Sequence, residues 1–135
     1  MDAEKKVDSI NQNINPQICF NNKEKEKILN KILATNDLQT YLTPLHTRSL
    51  PVEILTNEFI TSDLEIRTNG QTVILRDTIN KSDRTFKFSF PKINCEKQIL
   101  EFTIWYEFEH ADIVGKAINL NNEWVIEITG HGIVD

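Results

Sequence analysis

The chain has 135 residues, of which 39% are hydrophobic and 26% are charged, ordinary proportions for a globular protein. This length predicts one domain with a sizeable core, and no apolar run approaches the ~18 residues of a membrane-spanning helix. Residues 1–6 are polar and lysine-rich, with no apolar signal segment behind them, which favours a cytoplasmic location. A secreted or lipid-anchored domain that has lost its leader would look the same, so this alternative stays open.

The net charge of −5 is unevenly distributed along the chain. Residues 1–95 contain 12 acids and 13 bases, whereas residues 96–135 contain eight acids against two lysines, Lys97 and Lys116. A concentration of carboxylates repels nucleic acid and attracts basic proteins. We therefore expect a basic protein partner for the C-terminal part of the chain, and neither a nucleic-acid nor a membrane partner.

The two cysteines, Cys19 and Cys95, are too few for a disulfide framework or a metal site. Free cysteine usually behaves as a small buried hydrophobic residue, so both are expected to be inert thiols. The four glycines form no phosphate-binding loop. The composition therefore predicts no cofactor.

Residues 1–20 are a polar lead-in, and residues 21–135 are expected to form a single α+β domain. A helix capped by Asn21 or Asn22 is predicted first, because apolar residues recur there on one helical face. Lysines interleaved with glutamates indicate that its other face is solvated. A second apolar cluster extends this helix or forms a second one, which Pro44 is expected to end. The apolar positions are Ile28, Leu29, Ile32, Leu33, Leu38, Tyr41 and Leu42, and the lysines are Lys23, Lys25, Lys27 and Lys31.

The Asn69-Gly70 dipeptide predicts a β-hairpin, because it supplies the two positive φ angles of a type I′ turn. Closing the chain on this turn pairs Ile66 with Val73, and Leu64 with Leu75. The hairpin is preceded by a short strand at residues 52–56.

Asn121-Asn122 predicts a second turn of the same type, after a strand at residues 113–120. The returning strand covers residues 124–129, which places Lys116 opposite Glu127. The glycines that follow are expected to free the tail.

Residues 99–109 form the longest alternating stretch, with apolar even positions and mostly acidic odd positions. This pattern predicts a central strand with its apolar face inside and its acidic face outside. A one-faced strand at residues 85–90, ended by Pro91, precedes it. The predicted fold is an N-terminal helix, or two, packed on a curved antiparallel sheet of about five to seven strands. The apolar positions of the long stretch are Leu100, Phe102, Ile104, Tyr106 and Phe108.

The acidic face of this stretch supplies the candidate binding site. Trp105 lies among carboxylates, and an exposed aromatic residue ringed by acids is typical of a protein-interaction hot spot. Alternatively, a helix or a neighbouring strand covers this indole. The candidate binding residues are Glu101, Trp105, Glu107, Glu109 and Asp112.

Catalysis and metal binding are the alternatives for the same region. Glu107 and Glu109 share a strand face, and a crowded carboxylate pair can serve as a general acid, with His110 exchanging a proton. No nucleophile or substrate pocket accompanies them, and with Asp112 they match neither a zinc motif nor an EF-hand loop. We therefore predict no catalytic residue and no metal site.

The long stretch and the closing hairpin share a pattern of aromatic, glycine and turn residues. Its members are Tyr106, Phe108, Gly115, Leu120, Asn121, Asn122, Trp124 and Ile126. Together with the order of elements, this pattern resembles small, uncharacterised bacterial domains of the cystatin-like or nuclear-transport-factor-2-like type. The resemblance implies a helix packed on a bent antiparallel sheet, a fold that hosts many functions. Enzymatic members of this type place an Asp/His pair in a cone-shaped pocket, whereas the inward face of the long strand here is apolar.

A small acidic chain without a catalytic set also resembles the bacterial immunity proteins that block toxic nucleases, because acidic inhibitors match basic toxins by charge. We therefore predict a non-enzymatic binding protein whose acidic sheet face recognises a basic protein. The alternative is a small-molecule-binding or hydrolytic domain with an aromatic pocket between helix and sheet. That pocket would be lined by Phe86, Phe88, Phe102, Tyr106 and Phe108.

Overall fold

The computed structural model describes residues 19–78 and 84–133. Most of the polar lead-in therefore lies outside the described residues, as does part of the loop that the sequence predicts at residues 76–83. In this described part of the chain, two helices precede a six-stranded sheet and a small two-stranded sheet, which confirms the α+β class. The elements are α1 (Asn22–Leu33), α2 (Asn36–Thr47), β1 (Glu53–Leu55), β2 (Arg67–Thr68), β3 (Gln71–Thr72), β4 (Ile74–Arg76), β5 (Thr85–Asn94), β6 (Ile99–Tyr106), a 3₁₀ helix (Glu107–Glu109), β7 (Ala111–Leu120) and β8 (Glu123–Ile133). Within the described ranges, no helix is long and apolar enough to cross a membrane.

Side-chain caps begin both helices. The Asn21 side chain accepts a hydrogen bond from the backbone N–H of Glu24 at 2.9 Å, which confirms the predicted start of α1. The Thr35 hydroxyl accepts one from the backbone N–H of Leu38 at 3.4 Å, so α2 is a separate helix. These caps satisfy backbone donors that have no partner inside a helix.

Pro44 does not end α2, which continues to Thr47, so that expectation was wrong. A proline inside a helix removes one backbone hydrogen bond, and here the loss falls in the last turn. The next residue, Leu45, is buried in the core and anchors this turn.

Lys25 departs from the solvated lysine face predicted for α1, because its side chain is fully buried. Its ammonium lies 5.2 Å from the centre of the Phe59 ring and has no hydrogen-bond partner among the described residues. Desolvation lowers the pKa of Lys25, and the nearby Asp63 carboxylate partly offsets that shift. The helical periodicity of apolar residues did not predict the burial of Lys25, because the chain after β1 folds over this side of α1.

The main sheet has the strand order β4-β1-β5-β6-β7-β8. Strands β5 to β8 are successive antiparallel neighbours, whereas β1 runs parallel to both β4 and β5. The Glu53 carboxylate on β1 lies 3.0 Å from the Arg76 guanidinium on β4 and accepts a 3.2 Å hydrogen bond from the Thr85 hydroxyl on β5. One largely buried carboxylate therefore holds both parallel neighbours of β1.

The first predicted hairpin is confirmed at its turn and is shorter than expected. Asn69 and Gly70 have φ angles of 53° and 77°, and the Val73 N–H donates to the Ile66 carbonyl at 2.8 Å. Leu75, however, pairs with Ile54 of β1 rather than with Leu64, so that part of the register was wrong. The hairpin ends after two residue pairs because the chain then pairs with the edge of β1 and joins the main sheet as β4.

The second predicted hairpin is also confirmed, with φ angles of 54° and 68° at Asn121 and Asn122. Lys116 pairs with Glu127 as expected. The tail is not freed after Thr129, because β8 continues to Ile133 along the first half of β7. A register shift in this pair accommodates the longer strand.

Pro91 does not end β5, which reaches Asn94. The pairing of β5 with β6 shifts register between Ser89 and Lys92, so Pro91 lies at an irregularity of the ladder. Proline is tolerated at such a bulge because no ladder hydrogen bond is needed from its nitrogen.

The core lies between the two helices and one face of strands β5 to β8. The Trp124 indole donates a 2.7 Å hydrogen bond to the Glu24 carboxylate and so joins β8 to α1. The largest fully buried side chains include Phe20, Phe59, Phe86, Phe102, Ile28, Leu29, Ile32, Leu33, Leu38, Leu42 and Ile54.

Cys19 and Cys95 form a disulfide, so the expectation of two free thiols was wrong. Their Cα atoms are 5.5 Å apart although 76 positions separate them in the sequence. The bond joins Cys19, three residues before the start of α1, to the turn between β5 and β6. Only the tertiary fold brings these positions together, which is why spacing alone did not reveal the pair.

Candidate functional site

The turn between β6 and β7 exposes a phenylalanine between two glutamates. Strand β6 ends at Tyr106, and Glu107–Glu109 form a 3₁₀ turn closed by a hydrogen bond from the His110 N–H to the Glu107 carbonyl. Phe108 was expected on the inner face, but it is 50% exposed. The prediction failed because the alternation of side chains between two faces stops where the strand stops.

An aromatic cluster at the edge of the core supports the Phe108 ring. The centre of this ring lies 6.1 Å from that of Tyr106, which stacks on Phe86 at 4.1 Å and meets the edge of Tyr41 at 5.8 Å. Tyr106 and Phe86 are buried, so one side of Phe108 rests on fixed rings while the other faces solvent.

Carboxylates from three elements act on the Tyr41 ring, which contacts Tyr106 in the same aromatic cluster. Burial raises the pKa of Tyr41, and the charges of Glu109, Asp112 and Asp37 raise it further. Because each of these charges acts on one phenol, the start of α2, the 3₁₀ turn and the start of β7 share a region of negative potential. We call Asp37, Glu107, Phe108, Glu109 and Asp112 the acidic tip.

The same charges act on the buried Tyr106. Burial raises the pKa of Tyr106 to about 12, and Glu109 adds to this shift while Arg84 opposes it. The His131 ring lies 3.5 Å from Asp37 and links the end of β8 to α2 when it is protonated. Arg84 and, when it is protonated, His131 place positive charge beside the carboxylates of the tip.

Trp105 is half-buried, and its side chain is hydrogen-bonded within the chain. Its indole N–H donates a 2.8 Å hydrogen bond to the Glu107 carboxylate, and its ring meets the edge of His110 at 6.3 Å. A neighbouring strand also places Lys87 directly beside it. Trp105 therefore positions the turn, and Phe108 is the more exposed aromatic residue of the two.

Glu101 lies apart from the other predicted site residues. It faces Lys92 of β5 and Lys116 of β7, four residues along β6 from Trp105. The sequence predicts an acidic face along β6, but lysines on both neighbouring strands flank Glu101 on this face. The structure brings together Glu107, Glu109 and Asp112, and leaves Glu101 in a row of alternating charge.

The residues proposed for an aromatic pocket belong to the core. Phe86, Phe88, Phe102 and Tyr106 are all buried, and Phe108 lies at the surface. A groove of about 410 Å³ opens elsewhere, between α1 and the turn before β8. Its two lysines pair with nearby glutamates, Lys27 with Glu24 and Lys31 with Glu123.

Sequence reasoning missed Asp37 and Tyr41, which have no local signal because α2 is distant in sequence from the turn. The sequence pattern predicts this turn at residues 110–112, whereas it lies at 107–110, and this difference accounts for the exposure of Phe108. Across the described residues, histidine, cysteine and acidic side chains form no group of three or more that could hold a metal ion.

No protein-family model matches this chain, and neither a curated protein nor a solved structure matches it significantly. The resemblance to cystatin-like and nuclear-transport-factor-2-like domains therefore stays a prediction. The geometry of the acidic tip is the feature that points to a function.

Proposed function

We propose that this chain is a non-enzymatic binding protein whose acidic tip recognises a basic protein, in the manner of a bacterial immunity protein that blocks a toxic nuclease. The observation that carries the proposal is Phe108, half-exposed between Glu107 and Glu109 and supported by buried rings. Aromatic anchors surrounded by polar groups are typical of the residues that dominate binding energy in protein interfaces.

The charge around Phe108 supports a cationic partner. Asp37, Glu109 and Asp112 act together on Tyr41, so a lysine or arginine near the tip meets several carboxylates at once. Such complementarity accelerates encounter and selects among partners more than it adds affinity. Nuclease surfaces that contact nucleic acid are basic, which makes them suitable targets for this surface.

We also propose that the protein works in an oxidising compartment rather than in the cytoplasm. The disulfide between Cys19 and Cys95 supports this location, because such bonds persist mainly in secreted, periplasmic and cell-surface proteins. The test is acid-quenched thiol labelling of protein taken directly from its native cells. Unlabelled cysteines support the proposal, whereas two labelled thiols contradict it.

The partner is best sought by affinity capture from native cells, with mass spectrometry of the captured proteins at about 50 mM and 500 mM salt. The wild type is expected to retain a basic protein at low salt and to lose most of it at high salt. Glu107→Lys with Glu109→Lys is expected to abolish capture, because both reversed charges lie at the tip.

A matched control carries Glu58→Lys and Glu65→Lys, which change the net charge equally at exposed positions away from the tip. This control is expected to capture the same partner as the wild type. Equal capture by the tip variant and the wild type would contradict the proposed site.

A further inference from the structure

The face of strands β5 to β8 that points away from the helices is not covered by any described part of the chain. The helices and the buried rings lie on the opposite face, whereas Ser89, Glu101, Val114, Val125 and Glu127 on this face are exposed. We call it the outer face. The pairing of its four strands, which shifts register between Ser89 and Lys92 and between Val114 and Gly115, gives it a defined pattern of side chains.

One row of side chains across the outer face alternates in charge. Lys92 of β5 pairs with Glu101 of β6, Glu101 pairs with Lys116 of β7, and Lys116 pairs with Glu127 of β8. Neighbouring strands are about 4.8 Å apart, so the row is a regular series of positive, negative, positive and negative charges. The series is antisymmetric about the midpoint between β6 and β7.

We propose that the outer face is the interface of a homodimer, with the two-fold axis along the strands between β6 and β7. This rotation brings β6 of one copy onto β7 of the other and β5 onto β8. Each charge in the row then meets its opposite, so that Glu101 faces Lys116 of the second copy and Lys92 faces Glu127 of the second copy. An isologous interface requires this kind of self-complementary surface.

The row next to the charges fits the same arrangement. Ile99 pairs with Ile118 in the register of β6 and β7, and Asn94 and Val125 lie at the two ends of this row. Under the same rotation, Ile99 meets Ile118 of the second copy. Two faces packed in this way resemble the aligned sheets of a β-sandwich, whose strand directions differ by about 30°.

The balance of charge favours a second copy over a basic protein on this face. Two lysines and two glutamates alternate in the row, so it has no net attraction for a cationic surface or for nucleic acid. Glu107, Phe108 and Glu109 of the acidic tip lie beyond the end of β6, whereas Asp112 lies on β7 within the proposed interface. The dimer therefore leaves Phe108 available for the partner considered above.

The expected dimer is weak because the contact is small. Four strands span about 15 Å, and the stretch from Asp112 to Ile118 spans about 20 Å along the strand. This footprint is below that of a standard stable interface, so association is expected at high micromolar concentrations. Sedimentation velocity of the full chain from about 10 μM to 1 mM covers the range in which such an equilibrium appears.

The decisive experiment uses two single variants and their mixture. Glu101→Lys places lysine against Lys116 of the second copy, and Lys116→Glu places glutamate against Glu101 of the second copy. Each variant alone is expected to associate at least tenfold more weakly than the wild type. Mixing the two restores opposite charges across the interface, so a heterodimer of near wild-type affinity is expected.

The mixture distinguishes charge repulsion across an interface from a change within one chain. Each variant keeps its own altered row when the two are combined, so restored association can come only from contacts between the two copies. Both variants also remain acidic, with net charges of −3 and −7 against −5 for the wild type, so general attraction between them is absent. Glu58→Lys and Lys23→Glu provide a control pair with the same net charges, and both are expected to dimerise like the wild type, alone and mixed.

A monomeric wild type at 1 mM would overturn the proposal. Single variants that associate as strongly as the wild type, or a mixture that stays monomeric, would overturn it as well. If a charge-reversal variant does not fold, Glu101→Gln and Lys116→Gln are used instead. Each removes one attractive charge pair without adding a repulsive one, so association is expected to weaken severalfold. These outcomes do not depend on whether the acidic tip binds a basic protein.

Discussion

The indole N–H of Trp105 donates a 2.8 Å hydrogen bond to the carboxylate of Glu107, across the point where β6 ends and the 3₁₀ turn begins. This contact ties the last outward-facing residue of the strand to the first residue of the turn. It therefore holds the turn in the form that exposes Phe108. The sequence pattern predicts the two residues as separate members of a binding surface, and the structure shows one orienting the other.

Replacing Trp105 with phenylalanine tests this role. Trp105→Phe keeps an aromatic ring and removes the donor, so we expect the free energy of unfolding to fall by about 1–2 kcal/mol. Glu107→Gln keeps an acceptor and is expected to cost less. Urea denaturation of the three proteins gives both values, and equal stability of Trp105→Phe and the wild type would contradict the role.

Gly115 allows the close approach of β7, β8 and Phe102. A Cβ atom at this position would lie 2.6 Å from the Glu127 carbonyl oxygen and 2.8 Å from the Phe102 ring. Because the backbone cannot move freely within the sheet, Gly115→Ala is expected to lower the free energy of unfolding by about 2 kcal/mol or more.

Gly130→Ala is the matched control for this change, since a Cβ there meets nothing within 4 Å. Its free energy of unfolding is expected to stay within about 0.5 kcal/mol of the wild-type value. Thermal denaturation distinguishes the two substitutions, and similar midpoints for both would count against the close approach of β7 to β8 at Gly115.

The disulfide closes a long stretch of chain. For a separation of 76 residues, the loss of chain entropy in the unfolded state corresponds to about 4 kcal/mol of stability. Cys19→Ser with Cys95→Ser is therefore expected to lower the midpoint of thermal unfolding markedly. Adding a reductant is expected to lower the wild-type midpoint to a similar value, and insensitivity to reductant would show that the bond does not form.

Lys25 gives the fold a distinctive pH dependence. Its pKa is lowered in the folded state, so between that value and 10.5 the unfolded chain binds more protons than the folded chain. The contribution of Lys25 to the free energy of unfolding therefore increases as pH rises across this window. The difference in unfolding free energy between the wild type and Lys25→Met should shift in favour of the wild type as pH rises from about 7 towards 10.

Lys23→Met is the charge-matched control, because Lys23 is exposed on the same helix. A difference between Lys25→Met and the wild type that does not vary with pH, or that Lys23→Met reproduces, would place the Lys25 ammonium in solvent.

Local signals predicted the turns of this fold. Asn69-Gly70 and Asn121-Asn122 adopt positive φ angles because few other residues tolerate them, and this chemistry is contained in two adjacent positions. The pairing of Lys116 with Glu127 follows from the second turn by counting along two strands. Features of this kind need no knowledge of the rest of the chain.

Features that depend on distant parts of the chain were not predictable in the same way. The parallel placement of β1 beside β4 and β5, the burial of Lys25 under Phe59 and the disulfide all join segments far apart in sequence. Phe108 was assigned to the core because the alternating pattern continues in sequence for three residues beyond the end of the strand. The predicted binding residues include part of the acidic tip, whereas Phe108, its exposed aromatic residue, was assigned to the wrong face.

The most direct test of the acidic tip is the dissociation constant of the captured partner for Phe108→Ala, measured by calorimetry beside the wild type. Leu120→Ala is the control, because Leu120 is 53% exposed at the other end of the sheet. A central anchor predicts at least about thirtyfold weaker binding for Phe108→Ala, or about 2 kcal/mol, and less than about a twofold change for Leu120→Ala. Unchanged binding by Phe108→Ala would contradict the role of this ring as the anchor of the tip.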